Sequence, residues 1–333
     1  MPALAVDLGG TFLRCAVVSG AGNISDVLTE RIDRHPRDPE SLWRKIFDRI
    51  EAVAAASHAE LGPADPIAFA FPGPVADRSR ILGAPTVIGP TAELPDVVQI
   101  LRERTGRPVY LLNDVSAAAW YYLNEIQAAR FMVVTVSSGI GSKLVNRADS
   151  AKVMDAWPYA GEIGHVVVDF SPDAPMCDCG GSGHLGAIAS GRGTENLAQR
   201  MSKLNAAAFD ASLCVTSFGA TQSHFTNEDH LVPAARLGDP WAWDLISTTQ
   251  GPLAQVLAAL IVAASLENVL IIGGFAISLG DRYLACLREA VQRRIAGLIE
   301  LPVDDVIHFG QSAGEACLRG AGLFAESVAR SAR

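Results

Sequence analysis

The sequence predicts an α/β fold, and three observations lead to it. Short apolar runs of strand type alternate with helical stretches along most of the 333 residues. Several of those runs end in turns rich in glycine, serine or asparagine, the places where an α/β sheet offers its ligand crevice. The strand–turn–strand pattern at the start of the chain also returns near residue 132, which points to two related halves.

The elements follow in order. Leu4-Ala5-Val6-Asp7 meets Gly9-Gly10-Thr11, and Cys15-Ala16-Val17-Val18 then runs to Ser19-Gly20, giving a strand, a glycine turn and an antiparallel strand. Asp38-Pro39 supplies an N-cap and a first-turn proline for a helix near 39–61, with Leu42, Ile46, Ile50 and Val53 on one face. Ile67 to Phe71 reads as a buried strand ending at Pro72-Gly73-Pro74. A helix near 94–105 leads to Pro108-Val109-Tyr110-Leu111-Leu112, a strand that delivers Asn113-Asp114 at its carboxyl end. Met132 to Val136 meets Ser137-Ser138-Gly139-Ile140-Gly141 and resumes with Lys143-Leu144-Val145, echoing the first hairpin. Coincidence between two ordinary hairpins is the alternative. The stretch 205–238 is polar and aromatic and is read as a helical excursion. Asp239-Pro240 opens a long helical stretch interrupted at Gly251-Pro252, which leads to a buried strand, Val269 to Ile272, stopped by Gly273-Gly274. A small-residue helix from Gly314 to Ala325 closes the chain.

Composition narrows the function. With 27 Lys plus Arg against 36 Asp plus Glu, the formal charge is −9, and no basic block is present to meet nucleic acid or an anionic membrane. An anionic ligand therefore has to be gripped locally, by backbone N–H groups or a metal. The N-terminus lacks the basic start and apolar run of a secretory signal, and Val256 to Leu266 is shorter than the ~20 residues of a membrane span. Six cysteines are too few for a disulfide scaffold, so a cytoplasmic location is expected.

Asp7 beside Gly9-Gly10-Thr11 is the pattern of a loop whose glycines let N–H groups approach phosphate while a carboxylate holds Mg²⁺ through water. Ser137-Ser138-Gly139 offers the same from the second hairpin; taken singly, each turn also reads as plain structure. Neither a P-loop nor a G-x-G-x-x-G motif is present. Asp114 at a strand's carboxyl end can take the proton of an attacking alcohol, and Asn113 can fix a neighbouring hydroxyl. On local sequence alone Asp114 reads better as the cap of the helix continued by Ala117-Ala118-Ala119-Trp120, a role compatible with that of base. The strongest local signal is His165, Cys177, Cys179 and His184, two cysteines and two histidines in a glycine-rich loop, which match tetrahedral zinc coordination. Unrelated reduced thiols and loop histidines are the bland reading.

Together these pieces resemble the ROK family of sugar kinases and sugar-responsive repressors, within the actin- and hexokinase-like superfamily. The resemblance covers almost the whole chain. It is carried by Val6-Asp7-Leu8-Gly9-Gly10-Thr11, Phe71-Pro72-Gly73-Pro74-Val75, Leu112-Asn113-Asp114, Ser138-Gly139-Ile140-Gly141, Gly161-Glu162-Ile163-Gly164-His165, the loop from Cys177 to Leu185, and Ile271-Ile272-Gly273-Gly274. It implies a two-domain actin-like ATPase (ribonuclease H-like) fold. Residues 1–113 plus 315–333 would form a smaller N-terminal domain and 114–314 a larger C-terminal domain with the zinc loop, with ATP and sugar in the cleft between them. It further implies Asp7, Gly9, Gly10 and Thr11 with Ser137, Ser138 and Gly139 as the phosphate hairpins, and Gly273-Gly274 as the adenosine-side turn. Asp114 is implied as the catalytic base on a primary hydroxyl, with Gly73, Asn113, Glu162 and His165 around the substrate. His165 would also bind structural Zn²⁺ through its other nitrogen, beside Cys177, Cys179 and His184. A homodimer is implied in the same way.

Three positions depart from the family's pattern. Its third loop cysteine is His184 here, its following glutamate at the C1/C2 end of the sugar is Gly186, and its asparagine after Ala-Pro is Thr86. Loss of a carboxylate removes a hydrogen bond typically worth ~1.5–3 kcal/mol and opens space at that end. The expected activity is therefore ATP-dependent phosphorylation, with Mg²⁺, of a primary hydroxyl on a C7 cyclitol of the valiolone/valienone type or an amino sugar such as kanosamine, in preference to glucose. Ordinary glucokinase is the first alternative. A sugar-sensing repressor is another, although Asp7 leaves little room for a preceding helix-turn-helix.

Overall fold

In chain order, β1 (Ala3–Leu8), β2 (Phe12–Ser19) and β3 (Asn23–Arg31) precede α1 (Pro39–Ala56) and β4 (Ile67–Phe71). The short strands β5 (Val75–Ala76) and β6 (Arg80–Ile81) lead to α2 (Val97–Thr105), β7 (Val109–Asn113) and α3 (Asp114–Glu125). Next come β8 (Arg130–Val136), β9 (Ile140–Asn146), α4 (Leu185–Ala189), α5 (Gly191–Leu204), α6 (Ala206–Ala211), α7 (Leu213–Thr216), α8 (Val232–Arg236) and α9 (Pro240–Ala264). The chain ends through β10 (Asn268–Ile272), α10 (Gly274–Leu279), α11 (Asp281–Ile295), α12 (Val303–Val306), β11 (Ile307–Phe309) and α13 (Ala316–Ser331). This is a computed structural model, and it describes all residues except 10, 11, 21, 33–37, 58, 59, 84–86, 88–92, 150, 156, 158, 298–300, 312, 313, 332 and 333. The chain divides into two compact units: Met1–Gln127 with Lys143–Ala160 and Ser312–Arg333, and Ala128–Ser142 with Gly161–Gln311.

The first unit is built on a sheet of order β3-β2-β1-β4-β7. β1 and β2 form an antiparallel hairpin in which Asp7 faces Arg14, whereas β1, β4 and β7 run parallel. Strand alternation sorts the side chains by size. Leu4, Val6, Leu8, Phe69, Phe71 and Leu111 fill one face with Trp43, Ile46 and Ile50 of α1. Fully burying each such side chain stabilises the unit by ~1.5–3 kcal/mol. The other face carries Ala3, Ala5, Ala16, Ala68 and Ala70, and α13 packs closely there through Leu318, Ala321 and Phe324. Small residues continue into the α3–α13 contact, where a Cβ on Gly320 would fall on the Ala117 carbonyl. α1 starts as expected, with the Asp38 carboxylate accepting from the Ser41 N–H at 3.1 Å, but it ends at Ala56. Ser57 turns the chain there, taking the N–H groups of Glu60 and Leu61 on its carbonyl.

The second unit holds a sheet of order β11-β10-β8-β9, with β8, β10 and β11 parallel. Read from the hairpin outward, β9-β8-β10-β11 repeats β2-β1-β4-β7, so the echo in sequence is an echo of topology. α9 runs unbroken through Pro252 instead of stopping at Gly251-Pro252. A proline costs an interior helix ~3 kcal/mol or more. Leu245, Ile246, Leu253, Ala254, Leu257 and Ile261, all 5% exposed or less, offset it by burial on both sides of the proline. By length and composition α9 is apolar enough to cross a membrane, yet half of its apolar window is buried within the protein. The stretch 205–238 is helical, in α6, α7, a π-helical turn at Asn227–Leu231 and α8.

Candidate active site and metal centre

The parallel strands of the first unit bring four of the expected residues to one edge. Asp7 lies near the carboxyl end of β1, Gly73 follows β4, and Asn113 closes β7 opposite Phe71. Asn113, and not Asp114, is the N-cap of α3: its Oδ1 accepts from the N–H groups of Val115 (3.0 Å) and Ser116 (3.2 Å). Its Nδ2 donates to the Gly73 carbonyl at 3.0 Å, joining the ends of β4 and β7. Asn113 thus spends both acceptor lone pairs and one of two donor hydrogens on the fold, and among the described residues its second N–H has no partner. Asp114 is the first residue of α3, half-buried, with Oδ1 accepting from the Val115 N–H at 2.8 Å. A carboxylate there sits in the positive end of the helix dipole.

Asp7 is 3% exposed and ion-paired to Arg14, whose Nε donates to Oδ2 at 3.0 Å. Burial raises the Asp7 carboxyl above its ordinary value, and the Arg14 guanidinium opposes that rise. Arg14 also donates to the Gly314 carbonyl just ahead of α13. At the start of α13, the Cys317 Sγ reaches the Asp114 carbonyl at 3.4 Å. Burial pushes this thiol well above its ordinary range, and the charges of Asp7 and Asp114 add to the effect, so Cys317 is an S–H donor. In the first glycine turn the Gly9 N–H bonds the Phe12 carbonyl at 2.8 Å; Gly10 and Thr11 lie outside the described residues, as do Ala84, Pro85 and Thr86.

The second unit carries the other turns. Ser137 donates its N–H to Gly139 O at 3.0 Å and receives the Gly191 N–H on its own carbonyl at 2.8 Å, so α5 backs the hairpin. Space is open beside Gly139, and Gly273 packs on the backbone of Val136 at the end of β8. Asn227 of the π-helical turn buttresses the same corner, donating Nδ2 to Gly191 O at 2.6 Å and its N–H to Glu195 at 2.7 Å. Glu162 precedes a single 3-10 turn, Ile163–His165, whose Gly164 would clash with Ile140 O if it bore a Cβ.

His165, Cys177, Cys179 and His184 converge, with one donor atom from each and all four within 4.8 Å of one another. His165 Nδ1 lies 3.9 Å from Cys177 Sγ, and His184 Nδ1 lies 3.3 Å from Cys179 Sγ. A tetrahedral zinc with Zn–S ~2.3 Å and Zn–N ~2.0 Å spaces its ligand atoms by about 3.3–3.8 Å; the spread here is wider, up to 4.8 Å, while the donor set of two imidazoles and two thiols is one that suits the ion. His165 uses Nδ1 toward the cluster, which leaves Nε2 for another partner. The loop is shaped by Gly183, at φ +69°, where a Cβ would run into the Asp169 carbonyl. Asp178 pairs with Arg192 of α5, tying the loop to the element that backs Ser137.

Arg14, Gly191, Asn227 and Cys317 did not emerge from the sequence. Arg14 had a signal: pairing β1 with β2 in a hairpin places position 14 opposite position 7. Gly191, Asn227 and Cys317 meet their partners only through tertiary packing.

The ROK family model matches residues 3–327. A C(7)-cyclitol 7-kinase from Streptomyces hygroscopicus subsp. jinggangensis is 37% identical over 328 residues, 96% of this chain and 92% of that protein. An N-acetylmannosamine kinase from Escherichia coli is 30% identical over 330 residues, 98% of this chain and 99% of that protein. Among solved structures, a ROK family glucokinase from Streptomyces griseus in complex with glucose and AMPPNP has a TM-score of 0.79 at 24% identity, covering 98% of this chain and all of that one. The chain belongs to the ROK family and has its actin-like α/β fold.

Proposed function

We propose that this protein is an ATP-dependent kinase that phosphorylates the exocyclic primary hydroxyl of a C7 cyclitol. The observation that carries the reading is Asp114, a carboxylate at the N-terminus of α3 held beside Asn113 and Gly73. The extended similarity to a C(7)-cyclitol 7-kinase supports the choice of acceptor.

In the reaction, Asp114 takes the proton of the acceptor hydroxyl as its oxygen forms a bond to the γ-phosphorus. The bond between that phosphorus and the β–γ bridging oxygen breaks, and ADP leaves. Asn113 donates its remaining N–H to an acceptor oxygen, while Glu162 and the Nε2 of His165 take further hydroxyls. The hydroxyls of Ser137 and Ser138 and the backbone at Gly139, beside which space is open, offer donors to the phosphates, and Gly273-Gly274 forms the adenosine-side turn. Asp7 would hold Mg²⁺ through water, and when bound the ion neutralises phosphate charge. Zinc would be held by His165, Cys177, Cys179 and His184, where it orients the His165 ring.

Gly186 supports an acceptor other than glucose. A Cβ there would stand 3.1 Å from the Gly164 carbonyl, beside the turn that carries His165. No carboxylate reaches out from this position, which suits an acceptor whose ring presents a ketone or no hydroxyl at that end. A cytoplasmic homodimer belongs to the same proposal.

The test is a phosphorylation screen with ATP, read by mass spectrometry, over valienone- and valiolone-type cyclitols, kanosamine, glucose and N-acetylmannosamine. A cyclitol should show the highest kcat/KM. Glucose or N-acetylmannosamine best by a wide margin refutes the acceptor, and no transfer to any of them refutes the kinase. Asp114→Asn should lower turnover by ~10²–10⁴-fold while acceptor binding persists; near-normal turnover removes Asp114 from the role of base.

A further inference from the structure

A cavity of about 320 Å³ opens in the first unit at the C-terminal half of α3. That is within the range of small-ligand pockets, ~300–1,000 Å³, and none of its residues has a part in the site described above. Trp120 and Asn124 of α3 form one wall, Glu326 and Ser327 of α13 another, and Arg147 and Lys152 of the segment after β9 a third.

Arg147, Asn124 and Glu326 are held in place by neighbouring groups. Arg147 is pinned by the carbonyls of Leu123 (2.5 Å) and Ile126. Trp120 packs edge-on against Phe324, ring centroids 5.5 Å apart, and its buried indole N–H makes no hydrogen bond among the described residues. Asn124 leans on the Trp120 carbonyl at 3.3 Å, and Glu326 meets the N-terminal ammonium at 3.4 Å. Lys152 is exposed and makes no ion pair among the described residues.

This combination selects a chemistry. Arg147 and Lys152 suit the oxygens of a phosphate. Glu326 repels a bare anion but accepts hydrogen bonds from hydroxyls, and the indole offers a flat wall to ring carbons. We propose that the cavity binds a phosphomonoester of a hydroxylated ring, apart from the catalytic edge. The compound class is the one released by the reaction proposed above, so the ligand's origin, though not the pocket's chemistry, rests on that reading. Both helical walls lead back to the base. α3 begins at Asp114 and spans ~18 Å at 1.5 Å per residue, and α13 touches the Asp114 carbonyl through Cys317.

The test uses the full chain with glucose 6-phosphate as probe and inorganic phosphate and glucose as controls, read by calorimetry and amide hydrogen exchange. Glucose 6-phosphate should slow exchange in 120–126, 146–153 and 320–327. Lys152→Glu, a change at an exposed position, should weaken that binding at least tenfold and leave kcat in its absence unchanged. Inorganic phosphate should bind at least tenfold more weakly than the sugar phosphate. Protection confined to 113–116 and 162–165 overturns the proposal, as does equal affinity in Lys152→Glu or equal binding of inorganic phosphate. Because binding is read without turnover, protection of the cavity in a chain inactive on every acceptor supports the pocket while refuting the kinase.

Discussion

Asn113 holds the fold in two ways and is proposed to bind the acceptor in a third, and the three roles can be separated. Its Oδ1 caps α3, one Nδ2 hydrogen holds the Gly73 carbonyl, and the other is the one proposed to meet the acceptor. Asn113→Ala removes all three. Loss of an N-cap costs about 1 kcal/mol, and loss of the Gly73 bond about another 1 kcal/mol, together about 2 kcal/mol. At about 2–4 °C per kcal/mol, Tm should fall by about 4–8 °C. The lost bond to the acceptor, about 0.5–1.5 kcal/mol, should raise the acceptor's Kd by about two- to twelvefold. Asn113→Ser keeps a good capping oxygen and loses both donors, so it should lose about half as much Tm with the same loss of acceptor affinity. Thermal melts and calorimetric titration with the best acceptor read both quantities. Equal melting losses in Ser and Ala refute the capping role, and unchanged acceptor affinity in Ala refutes the ligand role.

Other predictions follow from the same geometry. Cys177→Ser should abolish the one equivalent of zinc expected by elemental analysis of purified protein and lower Tm; a wild-type protein purified without zinc refutes the centre. Gly186→Glu restores a carboxylate at the cost of a few tenths of an ångström at Gly164 O. It should raise the glucose-to-cyclitol ratio of kcat/KM by at least tenfold, from a bond worth ~1.5–3 kcal/mol, and an unchanged ratio refutes the specificity argument. Burial raises Asp7 above the ordinary 3.8 and the Arg14 guanidinium opposes it, so the folded chain holds this proton to a higher pH than the unfolded chain does. Stability from this group is fully present below the unfolded value and is lost as pH rises through the folded one. In its proposed role of holding Mg²⁺ with ATP, Asp7 would act as the carboxylate, which forms over the same window, so the acid limb of kcat/KM for ATP should lie above the ordinary carboxylate range; a limb at or below it refutes the shift or the role.

Much of the frame was legible because it is local. Glycine turns ending apolar runs marked both hairpins, the run into Asn113-Asp114 marked a strand feeding a helix, and the tight cysteine pair flanked by two histidines marked the cluster. What escaped depends on contacts the chain makes far from itself. Cys317 meets Asp114 from the last helix, and Asn227 supports Gly191 from a π-helical turn that no local period announces. α9 defeated the usual reading of Gly251-Pro252 because burial on both sides outweighs the lost backbone bond. That Asn113 rather than Asp114 caps α3 was hidden by a boundary uncertainty of one residue.

The two sheets share one strand order but not one chemistry. In the first copy the equivalent strand ends carry Asp7, Gly73 and Asn113-Asp114; in the second they carry Ser137, Gly273 and, after β11, Gly310. The first set of strand ends presents carboxylates and an amide, and the second presents a hydroxyl and bare backbone. One strand order thus serves two chemistries, and a substitution at one set of ends leaves the strand pairing that positions the other set unchanged.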